Sequence, residues 1–249
     1  WYVQPSEEEI AAQRKQDSIE NALREKAEIA QKNELKAKKQ QAVAAAQGDT
    51  TALFYKALNG KNEQLTLKNS KLQLTVNTHG GYVSGAKVMG FKDIKGDNNI
   101  TLFAGNEQKL NFMLAGKQTN IVTADLFFTP SNHTDSTLTL TAEAANGGQL
   151  VINYHLGENY LVNMQMQTKG LDGIFAPNYR QVDIEWEGLC RQQEKGFTFE
   201  NRYATLTYKE KNDDSDYLSE TEKVIDEPME NAIDWLAFKD QFFSSVLIP

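Results

Sequence analysis

Two textures of apolar and polar positions divide this chain. From about Thr50 onward the apolar positions recur with period two. Leu65-Thr66-Leu67 and Leu72-Gln73-Leu74-Thr75-Val76 alternate around an Asn69-Ser70 turn. Leu138-Thr139-Leu140 leads through Asn146-Gly147-Gly148 to a run at 150–156, and Gly157-Glu158-Asn159 joins that run to 160–168. Asn163-Met164-Gln165-Met166-Gln167 alternates strictly, and 203–208 reads as a further strand. Alternation sends successive side chains to opposite faces, so Leu72, Leu74 and Val76 are expected to face a core. Many strands joined by Gly and Asn turns predict a mainly β fold, an antiparallel sandwich or barrel. Gly80-Gly81 is expected to be a tight turn with positive φ. The apolar, aromatic run at 233–248 is interrupted by Lys239, Asp240 and Gln241. Its periodicity leaves open whether 238–246 is a short helix or a strand.

The first texture is different. Between Ser6 and Gln47 there is no Gly or Pro, and Gly48 is a natural stop. Ser6 suits an N-cap, with Glu9 placed to complete a capping box. Glu20→Arg24, Glu28→Lys32 and Glu34→Lys38 are favourable i,i+4 pairs. Basic residues crowd the later part, as the helix dipole favours. One helix of about 60 Å is therefore predicted. Ile10, Ile19, Leu23, Ile29 and Leu35 keep no heptad, so a solvated helical spacer with little contact to the sandwich is expected rather than a coiled coil. The division that follows is 1–49 as a helical linker and 50–249 as a β domain.

Charge sharpens this division. The net charge of −8 belongs wholly to the body, because 6–47 holds equal numbers of acidic and basic side chains. An acidic body argues against a nucleic-acid surface and against broad adhesion to anionic lipid. No apolar stretch is long enough to span a bilayer. The residues from Trp1 to Pro5 lack the basic start and apolar core of a signal peptide. Trp1-Tyr2 would suit a membrane interface. Cys190 is the single cysteine, so no internal disulfide forms, and a buried inert thiol is expected.

Candidate chemistry is thin. Asp183, Glu185 and Glu187 share one face of a strand, with Val182, Ile184 and Trp186 on the other. Paired carboxylates can hydrolyse glycosides, but alternate acids on an outward sheet face are more often solvated. Asn212-Asp213-Asp214-Ser215-Asp216 offers oxygens for calcium without the spacing of an EF-hand, and reads as a surface loop. His79, His133 and His155 have no metal-ligand spacing. Gly80-Gly81 opens no helix and is not a phosphate loop. Asn99-Ile100-Thr101 and Asn132-His133-Thr134 match a glycosylation sequon of little weight. No catalytic, cofactor-binding or metal-ligating residue is assigned.

Several segments, in order, resemble the large periplasmic domain of YidC-type membrane protein insertases of the YidC/Oxa family. Tyr2-Val3-Gln4-Pro5-Ser6-Glu7-Glu8-Glu9 resembles the exit from the first membrane span. Leu72-Gln73-Leu74-Thr75-Val76-Asn77-Thr78-His79-Gly80-Gly81 resembles an early strand and its turn. Gln193-Glu194-Lys195-Gly196, then Glu200-Asn201-Arg202-Tyr203-Ala204-Thr205, resembles a mid-domain stretch, and 235–248 closes the match. The resemblance implies a galactose mutarotase-like antiparallel β-supersandwich, cut short at its C-terminal end, behind a long charged helix. It implies a periplasmic accessory domain of an insertase and chaperone in the inner membrane of a Gram-negative bacterium. Its partners would be nascent membrane proteins and Sec translocon subunits, reached through the parent protein. It implies binding or spacing, with no catalysis, cofactor or metal. The family's insertion groove lies in membrane helices outside this chain, so none of its residues is carried over. The alternative is a carbohydrate-active or carbohydrate-binding supersandwich of the cell envelope, against which the scattered histidines speak.

Overall fold

The computed structural model describes residues 7–96, 99–175, 182–219, 229 and 231–249. They fall into two compact units that divide between Tyr55 and Lys56.

The first unit is built on α1 (Glu7–Gly48), one uninterrupted helix of 42 residues. Freedom from Gly and Pro permits that length. After it, Asp49 accepts hydrogen bonds from the Thr51 amide at 2.9 Å and the Thr51 hydroxyl at 2.6 Å, which hold its carboxyl below the usual range. Lys38 pairs with Glu34 at 2.7 Å, with both side chains about two-thirds exposed, so the pair adds little. Trp1, Tyr2 and Ser6, and the side chains of Glu9, Glu20 and Glu28, lie outside the described residues. The capping box and the other two charge pairs therefore do as well. Ile19, Leu23, Ile29 and Leu35 are each more than half exposed. Among its described side chains these apolar residues bury no face, so local propensity supports the helix there.

The second unit starts within α2 (Tyr55–Leu58) and contains fifteen strands among the described residues. β1 (Gln64–Lys68), β2 (Leu72–Asn77), β3 (Val83–Met89) and β4 (Asn99–Phe103) form a sheet in that order. β5 (Gln108–Leu114) and β6 (Ile121–Val122) are joined by the later β11 (Asp183–Gly188), in the order β11-β5-β6. β7 (Thr129–Ser131), β8 (Thr137–Glu143), β9 (Gln149–Leu156) and β10 (Val162–Lys169) form a meander. After α3 (Phe197–Asn201) come β12 (Thr205–Glu210), β13 (Ser215–Ser219), β14 (Ile233–Lys239) and β15 (Ser244–Leu247), ordered β13-β12-β14-β15. Every ladder is antiparallel.

Period-two alternation sets the core. Leu72, Leu74 and Val76 are at most 5% exposed, as the pattern predicts. Leu138, Leu140, Leu150, Ile152, Tyr154 and Leu156 are buried on the meander. The turn after β2 ties the two sheets together. Gly80 and Gly81 have φ of 86° and 66°, and Tyr154 donates its hydroxyl to the Gly81 carbonyl at 2.7 Å. Gly80 N donates to Leu126 O and Phe128 N to Thr78 O, both at 2.9 Å. At the opposite end, Asn69 accepts from the amides of Lys71 and Leu72, and its Nδ2 donates to the carbonyls of Gly157 and Asn159.

Some expectations are corrected. The run at 233–248 is a β-hairpin, closed by Asp240 N donating to Phe243 O at 2.9 Å. Tyr203 and Ala204 form a turn after α3, and their strand starts at Thr205. Tyr160 and Leu161 precede β10 and are half exposed. Cys190 is exposed rather than buried, because it follows the edge strand β11, outside which no strand lies among the described residues. For the same reason Val182 and Ile184 remain 42% exposed.

This distribution of burial predicts uneven amide exchange. Amides of α1 should exchange far faster than those of β2 and β9, read by hydrogen-exchange mass spectrometry of the whole chain. Equal protection of α1 and β9 would contradict the account of α1 as a self-supported helix.

Candidate functional site

Two of the three acids of β11 are engaged by neighbours across the ladder, while Asp183 lies opposite Met113. Glu187 lies opposite Lys109 on β5 and accepts from its ammonium at 2.9 Å, while Glu185 lies opposite Asn111. The bond from Glu187 holds the Lys109 ammonium above its usual range. This surface ladder stabilises only weakly and aims no acid and base at a common point.

The acidic loop between β12 and β13 closes on itself. Asn212 takes a positive φ of 65°, Asp213 accepts from the Asp214 amide at 2.8 Å, and Asp216 accepts from the Tyr217 amide at 2.7 Å. These side chains shape a turn rather than a cation cage.

The histidines sit apart in role. His79 stacks on Phe127 with ring centroids 4.1 Å apart, and burial lowers its pKa. His133 Nε2 lies 2.9 Å from the Thr66 carbonyl. His155 stands on the exposed face of β9. Among the described residues no three His, Cys, Asp or Glu side chains group to hold a metal.

A different pair of acids converges where the sequence offers no motif. Glu200 on α3 and Asp240 in the β14–β15 turn are 5% and 8% exposed. Glu200 accepts from the amides of Gln193 at 2.6 Å and Glu194 at 3.1 Å, drawing the strap at 189–196 onto α3. Gln193 in turn donates its Nε2 to the Thr101 carbonyl on β4 at 2.9 Å. Arg191 donates to Glu107 at 2.6 Å, which holds the Glu107 carboxyl below its usual range. Asp240 accepts from the Gln241 amide. Burial first, and then the neighbouring Glu200 and Glu194, raise the Asp240 pKa to about 6 against that bond. Although Cys190 is exposed at the surface, partial desolvation by the groups around it and the charge of Asp240 push its thiol above the ordinary value.

The cleft beside this pair is walled by Leu102, Phe103, Phe238 and Phe243 and has a volume of about 30 Å³. That is room for about one or two waters, not for a sugar ring. Trp186 packs edge-on against Phe238, one wall of the cleft, with ring centroids 4.5 Å apart. The arrangement is a structural latch in which a proton on Asp240, bound below about pH 6, eases the close approach of two buried carboxyls. One sequence signal pointed towards it, namely a carboxylate inside an aromatic run.

The periplasmic-domain model of the YidC family matches residues 64–249. This chain belongs to the YidC periplasmic domain family. A membrane protein insertase YidC of Phocaeicola vulgatus is 41% identical over 99% of this chain and 39% of its own length. One from Bacteroides fragilis is 38% identical over 98% of this chain and 39% of its own length. One from Parabacteroides distasonis is 34% identical over 100% of this chain and 41% of its own length. The chain thus spans about two-fifths of these relatives, as the 39–41% coverage states. No solved structure is significantly similar to it. In this YidC periplasmic domain no helix among the described residues is long and apolar enough to cross a membrane. The carbohydrate reading gains no support from these relatives.

Proposed function

We propose that the chain is the periplasmic accessory domain of a membrane protein insertase. In this reading it assists the insertion and folding of inner-membrane proteins in a Gram-negative bacterium, alone or beside the Sec translocon. Residues 50–249 are the β-supersandwich of that domain, related in form to galactose mutarotases, and 1–49 are its helical tether to a membrane span. The observation that carries the proposal is the family match over 64–249 together with relatives named as insertases. The role is binding or spacing, without catalysis, cofactor or metal. Glu185 and Glu187 of β11 support this, because both are engaged across the ladder. Nascent membrane proteins and Sec subunits are the partners, met through the parent protein.

Deleting the segment equivalent to 50–249 from a full-length insertase tests the accessory role. Simple substrates should still insert when the membrane part is present and folded. Loss of all insertion under those conditions would make the domain essential and sink the proposal. Aldose epimerisation by the purified chain would overturn the non-enzymatic reading.

A further inference from the structure

An exposed strand edge invites pairing with another chain, and proteins blunt such edges with charge, proline, bulges, shortness or cover. Most edges of the second unit are blunted in these ways. On β1, Lys68 N donates to the Asp135 carbonyl and His133 lies on the Thr66 carbonyl. On β4, Gln193 takes the Thr101 carbonyl. β7 is three residues long and contains Pro130, β11 carries three acids, β13 contains Asp216, and β6 and β15 are two and four residues long.

β10 has none of these devices. It runs for eight residues in unbroken register with β9, and from Val162 to Thr168 it contains no charge and no proline. Among the described residues no backbone bond reaches its outer side.

The direction of its backbone groups follows from the hairpin. Gly157 N donates to Leu161 O, so Leu161, Asn163, Gln165 and Gln167 turn their backbone groups toward β9. Val162, Met164, Met166 and Thr168 therefore present theirs at the free edge. Their side chains lie opposite Leu156, Tyr154, Ile152 and Leu150, on the core face, where Val162, Met164 and Met166 are only half buried. The apolar face of the meander thus runs on to the edge and stops there.

The sequence of β10 is nearly symmetric about Gln165. A second copy laid antiparallel on a two-fold axis through Gln165 sets Met164 against Met166, Val162 against Thr168, and Asn163 against Gln167. The same register pairs outward-facing groups only with outward-facing groups. It yields about eight backbone hydrogen bonds, two from each of four hydrogen-bonded pairs. Methionines meet on the core face, amides meet on the outer face, and no like charges oppose each other within the paired segment. We propose that β10 is a self-pairing edge through which two copies of this chain join their meanders into one continuous sheet.

Sedimentation of the chain over a concentration series tests this. A concentration-dependent dimer is expected, and Gln165→Lys, which sets two ammonium groups on the two-fold axis, should weaken it by about fivefold. Gln165 is exposed, so the fold tolerates the change. A cross-linking test fixes the register in a Cys190→Ser background. Gln165→Cys places two thiols in a non-hydrogen-bonded pair with Cα atoms about 4.5 Å apart, within disulfide reach. Asn163→Cys leaves its two copies roughly 13 Å apart, four residues along a strand, and should not cross-link. A monomer at every concentration, or equal cross-linking at both positions, would overturn the proposal. A monomer would leave the β10 edge to a strand of another protein.

Discussion

Gly81→Ala is expected to lower the unfolding free energy of the β unit by about 3 kcal/mol or more, as a left-handed-backbone cost added to overpacking. Two effects add at this residue. Its φ of 66° lies in the left-handed region, where a Cβ costs about 1–2 kcal/mol. That Cβ would also stand 2.8 Å from the Ile152 Cδ1 and 3.1 Å from the Phe128 ring. Ile152 is 0% exposed and Phe128 3%, so neither yields without opening the core, and overpacking of this kind costs about 1–3 kcal/mol. Any backbone retreat would also pull the Gly81 carbonyl from the buried Tyr154 hydroxyl. Gly90→Ala is the control: φ is 83° but nothing lies within 4 Å of the new Cβ. It should show the backbone cost alone, about 1–2 kcal/mol. Urea unfolding reads both, as midpoints at unchanged slope. Equal losses for the two variants would show that the Gly81 turn does not pack as described.

The second large effect is one of pH. The Asp240 pKa rises from 3.8 unfolded to about 6 folded, chiefly by burial. Between these values the folded state holds the extra proton, so this group's contribution to stability falls as pH rises. The contribution is full below about pH 4 and lost above about pH 6, the reverse of an ordinary salt-bridged carboxylate. Its size is about 1–2 kcal/mol once screening at the cleft mouth is allowed for. Asp240→Asn keeps a neutral side chain beside Glu200 at every pH. The variant should match the wild type near pH 4 and exceed it by about 1–2 kcal/mol near pH 7.5. Paired denaturant titrations isolate the effect, because Glu107 and Asp49, which titrate low, are common to both proteins. A stability difference that does not change with pH would show that Asp240 takes up no extra proton on folding.

Much of the fold was legible where one face of a strand is buried and the other is wet. Leu72, Leu74 and Val76 declare their face because polar residues separate them, and Gly80-Gly81 declares its turn because other residues strain there. Helix α1 was legible from what it lacks. The hairpin of β14 and β15 was not, since an apolar run without period fits a buried strand and a helix alike. Only its ladder to β12 decides it. The meeting of Glu200 and Asp240 was hidden for a related reason. Glu200 looks like an ordinary surface acid in sequence, only Asp240 is marked by its aromatic run, and the strap from Gln193 to Glu194 that buries Glu200 is a tertiary event. Function was legible only through family resemblance, because the polar residues most suggestive of chemistry are engaged in turns and ladders.

The Asn69 side chain also bears on how this protein ages. Spontaneous deamidation of an Asn-Ser pair begins when the following backbone nitrogen, here that of Ser70, attacks the side-chain carbonyl carbon. Asn69 is held from both ends, its Oδ1 by the amides of Lys71 and Leu72 and its Nδ2 by two carbonyls of another turn. The attack would require those bonds to break together. These four contacts, two within the turn and two reaching a distant one, therefore act as a preservative, keeping a chemically fragile dipeptide intact for as long as the sheets stay folded.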